Sequence, residues 1–156
     1  MDLKQLYQDI ILEHGKSPRN LGKCEGYSHE AKGYNPLCGD KVHVYLKLDK
    51  VKKVDGLTFE GDGCAISLAS ASIMTEIIEG KTFEETKEIM NAFLNMIKNS
   101  SEIQSDYLDE NQKTKLMSLS GVKQFPMRIK CVTLSWHTLI SAMEGKKEEI
   151  NTEAID

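Results

Sequence analysis

The chain has 156 residues, 40% hydrophobic and 28% charged, which are the proportions of one soluble globular domain long enough to bury a real core. Its 20 basic and 24 acidic side chains leave a formal charge of -4, so no basic excess points to nucleic acid or an anionic membrane surface as partner. No run is long enough to span a bilayer, and Met1-Asp2-Leu3-Lys4-Gln5 lacks the apolar core of a signal peptide, so the expectation is a cytoplasmic protein whose 4 cysteines stay reduced. In that setting metal or thiol chemistry is favoured over a disulfide framework.

Leu3, Leu6, Tyr7, Ile10, Ile11 and His14 recur at helical spacing behind a capping Asp2, which predicts an amphipathic helix over 3–14 ended by Gly15 and Pro18. Residues 15–37 read as loop with one short strand near 26–33. Val42, Val44, Leu46 and Leu48 alternate with polar residues and predict a half-buried strand. Leu57 and Phe59 mark a second over 53–60, paired antiparallel with the first across Asp49-Lys50-Val51-Lys52. Gly61-Asp62-Gly63 breaks that strand. A helix from Ala65 to Glu79 follows, with small residues in its first half and Gly80 at its end. Thr82 and Glu85 form a capping box for a third helix, whose apolar face runs Thr86, Ile89, Met90, Phe93, Leu94, Ile97. Residues 99–123 are polar and weakly patterned, and read as a surface insertion with a short helix at 110–119. Pro126 precedes a last helix with Ile129, Val132, Trp136, Leu139, Ile140 and Met143 on one face. The tail 146–156 is charged and reads as a flexible, frayed end. With no repeat and no second apolar block, 1–156 is one domain. The predicted class is α+β, a small antiparallel β-sheet with α-helices packed on one face.

Cys38 and Asp40 lie in Asn35-Pro36-Leu37-Cys38-Gly39-Asp40, Cys64 follows Gly61-Asp62-Gly63 at a helix mouth, and Cys131 sits in the first turns of the last helix beside Arg128 and Lys130. Gly39 lets the chain bend so that Cys38 and Asp40 can face one ion. The positive end of a helix dipole favours a Cys64 thiolate. Three thiolates and a carboxylate suit tetrahedral zinc, and the same thiolates can carry sulfane sulfur or ligate an iron–sulfur cluster. Taken singly, each thiol also reads as a small buried hydrophobe, and there is no CxxC pair; it is the set that points to a metal. Cys24 reads as incidental. His14 reads as a packed, hydrogen-bonded histidine, and no two histidines sit at i, i+4.

These residues carry a resemblance. Tyr7…His14…Ser17-Pro18-Arg19-Asn20-Leu21-Gly22, the Asn35–Asp40 stretch, Phe59 to Ser72 through Cys64, and Arg128-Ile129-Lys130-Cys131-Val132-Thr133-Leu134-Ser135-Trp136 resemble the iron–sulfur cluster assembly family of IscU, NifU N-terminal domains and SufU. The match spans residues 7 to about 140. In the IscU branch a histidine precedes the last cysteine; here Lys130 stands there. That residue and the 99–123 stretch point to the SufU branch. The resemblance implies zinc held by Cys38, Asp40, Cys64 and Cys131, with Cys38 as acceptor of persulfide sulfur and Arg128 beside the incoming sulfur. The implied partners are a SufS-like cysteine desulfurase, which supplies a replacement histidine ligand to free Cys38, and downstream iron–sulfur assembly machinery. The alternative is a scaffold on which a nascent iron–sulfur cluster is built.

Overall fold

A computed structural model describes residues 2–99 and 102–155. Helix α1 spans Leu3–Lys16, and the Asp2 carboxylate caps it by accepting from the Gln5 N–H at 2.8 Å. The helix runs through Gly15 instead of stopping there. A Cβ at Gly15 would lie 3.0 Å from Cβ of Ala65, so this glycine serves close helix packing.

Strands β1 (His29–Asn35), β2 (Asp40–Leu48) and β3 (Val54–Asp62) form an antiparallel meander. Helix α2 (Ala65–Ile78) follows, then α3 (Phe83–Asn99), opened by the reciprocal Thr82–Glu85 box, with N–H to side-chain distances of 2.9 and 3.2 Å. Helix α4 (Glu110–Ser118) leads through two 3₁₀ turns, Leu119–Gln124 and Pro126–Arg128, into α5 (Ile129–Met143). The two-residue strand β4 (Ile150–Asn151) then pairs parallel with β1, giving the order β3-β2-β1-β4. The sheet is antiparallel in its three long strands, as expected, with the short parallel β4 added at its edge, and the class is α+β.

Helices α2 and α5 lie against the sheet face that carries Ala31, Val42, Val44, Leu46, Leu57 and Phe59. The small residues of α2 let α5 approach closely. The Trp136 indole N–H donates to Ser70 Oγ at 3.1 Å, and Ser70 Oγ donates to the Val132 carbonyl at 2.6 Å, so the polar tip of a wholly buried Trp136 is satisfied.

Two expectations need correction. The stretch read as a surface insertion over 99–123 places Ile103, Leu108, Leu116, Leu119 and Val122 in the core. Short helices and turns scatter these apolar positions, so no single period reveals them. The end read as frayed over 146–156 contains β4, and Thr152 just after it is buried. Among the described residues no helix is long and apolar enough to cross a membrane.

Candidate metal centre

Three junctions of the fold converge on one point. The turn between β1 and β2 carries Cys38, and the register that pairs Asn35 with Asp40 brings both residues to the base of that turn. Gly39, with φ +71°, makes the reversal. The junction between β3 and α2 supplies Cys64 as the N-cap of α2, its sulfur accepting the Ser67 N–H at 3.5 Å. Helix α5 brings Cys131 in its first turn, fully buried against the sheet.

Ligand atoms of Cys38, Asp40 and Cys131 lie within 4.8 Å of one another. Asp40 is wholly buried. Its Oδ1 accepts the Cys64 N–H at 2.9 Å and its Oδ2 accepts from Asn35 Nδ2 at 3.1 Å. The same Asn35 amide nitrogen donates to Cys131 Sγ at 3.4 Å. Cys64 stands outside the three mutually close atoms and abuts them through Cys131 and Asp40. Cys38 is half-buried, and Arg128 Nη1 donates to its sulfur at 3.5 Å.

The electrostatics follow from this crowding. The Cys64 thiol is pulled down to about 7, chiefly because Cys131 hydrogen-bonds to its sulfur and further because the Ser67 N–H does so; burial and Asp40 oppose the fall. Cys131 is pushed far up, first as the donor in that same pair, then by burial and Asp40, so the two thiols share one proton with Cys64 as the thiolate end. The sulfurs of Cys131, Cys38 and Cys64 in turn hold the Arg128 guanidinium firmly charged. A buried carboxylate and crowded thiols repel one another once ionised. A divalent cation resolves that repulsion, and three sulfurs with one carboxylate oxygen are a donor set zinc accepts.

Of the two cations that flank Cys131 in sequence, Arg128 reaches the site. Lys130 does not: its Nζ donates to Glu153 Oε1 at 3.3 Å, because the C-terminal segment lies along the start of α5. Cys24 lies apart, its sulfur packed over Gly56. No histidine joins the cluster among the described residues.

The NifU-like N terminal domain family matches residues 6–132. The chain belongs to that family. It is 40% identical over 138 residues to the zinc-dependent sulfurtransferase SufU of Bacillus subtilis, covering 88% of this chain and 89% of that one. It is 34% identical over 142 residues to the iron–sulfur cluster assembly scaffold protein IscU of Streptococcus pyogenes serotype M1, covering 91% and 85%. Among solved structures it is similar to a protein described as a scaffold for the SUF system from Fervidobacterium islandicum AW-1, with a TM-score of 0.77 at 37% identity, covering 89% and 97%. The NifU-like N-terminal protein of Brucella abortus shares the fold, with a TM-score of 0.79 at 22% identity over 92% and 95% of the two chains.

Two residues escaped the sequence reading. Asn35 was inside the motif that holds Cys38 and Asp40, yet its contact with Cys131 depends on packing between β1 and α5. Thr152, whose hydroxyl donates to Asn35 Oδ1 at 3.0 Å, gives no local signal at all.

Proposed function

We propose that this protein is a zinc-dependent sulfur-transfer protein of iron–sulfur cluster biogenesis, with Cys38 accepting sulfane sulfur from a cysteine desulfurase. The observation that carries the reading is the asymmetry of the cluster. Cys131 and Asp40 are sealed in the core, Cys64 caps a packed helix, and Cys38 sits half-buried in a turn with a guanidinium on its sulfur. The name of the Bacillus subtilis relative supports it.

Cys38, Asp40, Cys64 and Cys131 are the residues that would hold zinc. Bound zinc would keep the thiols deprotonated at neutral pH and cancel part of the buried charge. The chain's own part is then ordinary thiol–disulfide exchange. The Cys38 thiolate attacks the outer sulfur of the donor's cysteine persulfide. A sulfur–sulfur bond forms on Cys38 as the donor's bond breaks, the donor cysteine leaves as a thiolate, and the outer sulfur keeps its proton. No net oxidation or reduction is required. Arg128, exposed beside Cys38, offsets the charge on the attacking sulfur and then on the persulfide. A turn thiolate reaches a docked donor at less cost than a thiol built into a helix start.

The scaffold reading rests on the IscU-named relatives, and the same cysteines would ligate a cluster. Against it, Lys130 beside Cys131 offers an ammonium engaged with Glu153 where a further ligand would be wanted. The deciding experiment incubates the zinc-loaded protein with a cysteine desulfurase and cysteine and maps added sulfur by peptide mass spectrometry. One extra sulfur on the Cys38 peptide, lost in Cys38→Ser with the fold retained, is the expected result. Sulfur on Cys24, Cys64 or Cys131 would overturn the assignment. A stable iron–sulfur chromophore with no persulfide would establish the scaffold instead.

A further inference from the structure

We infer that the C-terminal segment is the outer support of the metal centre, with Thr152 a positioning residue that acts on two metal ligands through Asn35. The inference rests on the metal-binding reading of Cys38, Asp40, Cys64 and Cys131.

The argument begins with the Asn35 side chain, which is fully buried. Its amide nitrogen has two N–H bonds and two ligand atoms in front of it, Asp40 Oδ2 at 3.1 Å and Cys131 Sγ at 3.4 Å. Both are anionic when they bind metal, so the nitrogen must face them and the carbonyl oxygen must face away. That oxygen is left in the core, where a lone acceptor is costly, and Thr152 Oγ1 satisfies it at 3.0 Å. Thr152 is itself buried and is placed by the sheet: Ile150 pairs with Gly33 and Asn151 with Tyr34, which brings the next residue beside Asn35.

Two further contacts hold this end of the chain. The Asn151 side chain accepts the Glu153 N–H at 2.9 Å, turning the backbone just past β4, and Glu153 accepts from Lys130 at 3.3 Å. Lys130 immediately precedes Cys131. The segment is thus tied to β1, which carries Asn35, and to the first turn of α5, which carries a metal ligand. Partners that orient metal ligands commonly alter metal affinity by about 10–100-fold when removed. Coupling of this kind is reciprocal, so zinc should in turn hold the segment down.

The test is zinc affinity by competition with a chromophoric chelator, together with the absorption spectrum of the cobalt-substituted protein, on full-length wild type, Thr152→Val and Thr152→Ser. Valine keeps the shape and removes the hydroxyl; serine keeps the hydroxyl. Thr152→Val should bind zinc at least about tenfold more weakly and shift the cobalt bands, while Thr152→Ser stays close to wild type in both. A Thr152→Val protein with wild-type affinity and spectrum overturns the inference. So does a Thr152→Ser protein that loses as much affinity as valine, since packing and not the hydroxyl would then be at work. A second measurement needs no variant: hydrogen exchange on the wild type, where zinc should slow the amides of residues 150–153, and no slowing overturns the coupling. Failure of the underlying metal reading would look different, because wild type itself would bind neither zinc nor cobalt.

Discussion

Asp40 has no access to solvent, and each of its oxygens already accepts one hydrogen bond, from the Cys64 N–H and from the Asn35 amide. Each oxygen therefore retains a lone pair for a metal while being held in direction. An oxygen ligand is harder than a thiolate and leaves zinc more open to rearrangement, which suits the proposed role of Cys38 as the sulfur acceptor. Asp40→Ala removes the carboxylate and strands one buried N–H of Asn35 and the part-buried Cys64 N–H, at a cost of about 1–3 kcal/mol for a buried donor left unsatisfied. The expected outcome is a folded protein that binds zinc more loosely, by at least about tenfold in a chelator competition. Wild-type zinc affinity together with a wild-type rate of sulfur acceptance would remove Asp40 from the proposed mechanism.

The elements meet at the centre through two glycines that work differently. Gly39 has φ +71° in the β1–β2 turn, with open space where a Cβ would go. Gly39→Ala should cost only the backbone preference, roughly 1–2 kcal/mol, and leave zinc affinity near wild type. Gly63 joins β3 to α2 with φ +153°, and a Cβ there would overlap the Asp40 carboxylate and lie 2.9 Å from Asp40 Cα. Gly63→Ala should therefore displace the Asp40 carboxylate proposed to bind zinc and lower zinc affinity by more than about tenfold. Calorimetric melts with and without chelator separate the two: for Gly39→Ala the zinc-induced rise in Tm persists, and for Gly63→Ala it shrinks. Equal loss in both variants would refute the distinction. The roles of these turns were only partly legible in the sequence. Gly39 between Cys38 and Asp40 announces a bend, and Gly63 before Cys64 announces a helix start. That Gly63 also abuts Asp40 follows from the pairing of Lys41 with Asp62, which no local pattern encodes. The approach of Cys131 to a cysteine 67 positions earlier is likewise a product of topology.

Across the whole molecule, long periodic segments were the readable part: α1 and α3 each bury one apolar stripe, α5 is apolar and buried over most of its surface, and β2 alternates except at the buried Tyr45. The short helix expected at 110–119 is α4, but β4 and the burial of the apolar residues in and around α4 were not readable, because they depend on contacts with distant elements and show no single period. His14 belongs to the readable part, as the packed histidine expected between α1 and α2. Ser72 Oγ accepts the Arg19 N–H at 2.8 Å and hydrogen-bonds His14 Nδ1 at 2.8 Å, while His14 Nε2 faces Glu76 Oε1 at 3.8 Å. Burial lowers the His14 pKa first and Arg19 next, with Lys115 adding a little, against the opposing pull of Glu76 and Glu13. Because the folded value lies below the unfolded 6.5, the unfolded chain binds more protons in the window beneath about 6.5, and stability must fall as pH falls through it. His137, also lowered by burial and by Lys98, contributes in the same direction. The window lies below the Cys64 titration at about 7 and above the carboxylates. Urea unfolding of the chelator-treated protein should therefore show stability flat from pH 7.5 to about 7 apart from the thiol, then declining toward pH 5.5. His14→Asn, which can still hydrogen-bond Ser72 but cannot take up a proton, should lower stability at pH 7.5 and flatten the decline, leaving the share due to His137. A decline as steep in His14→Asn as in wild type would show that the proton is taken up elsewhere.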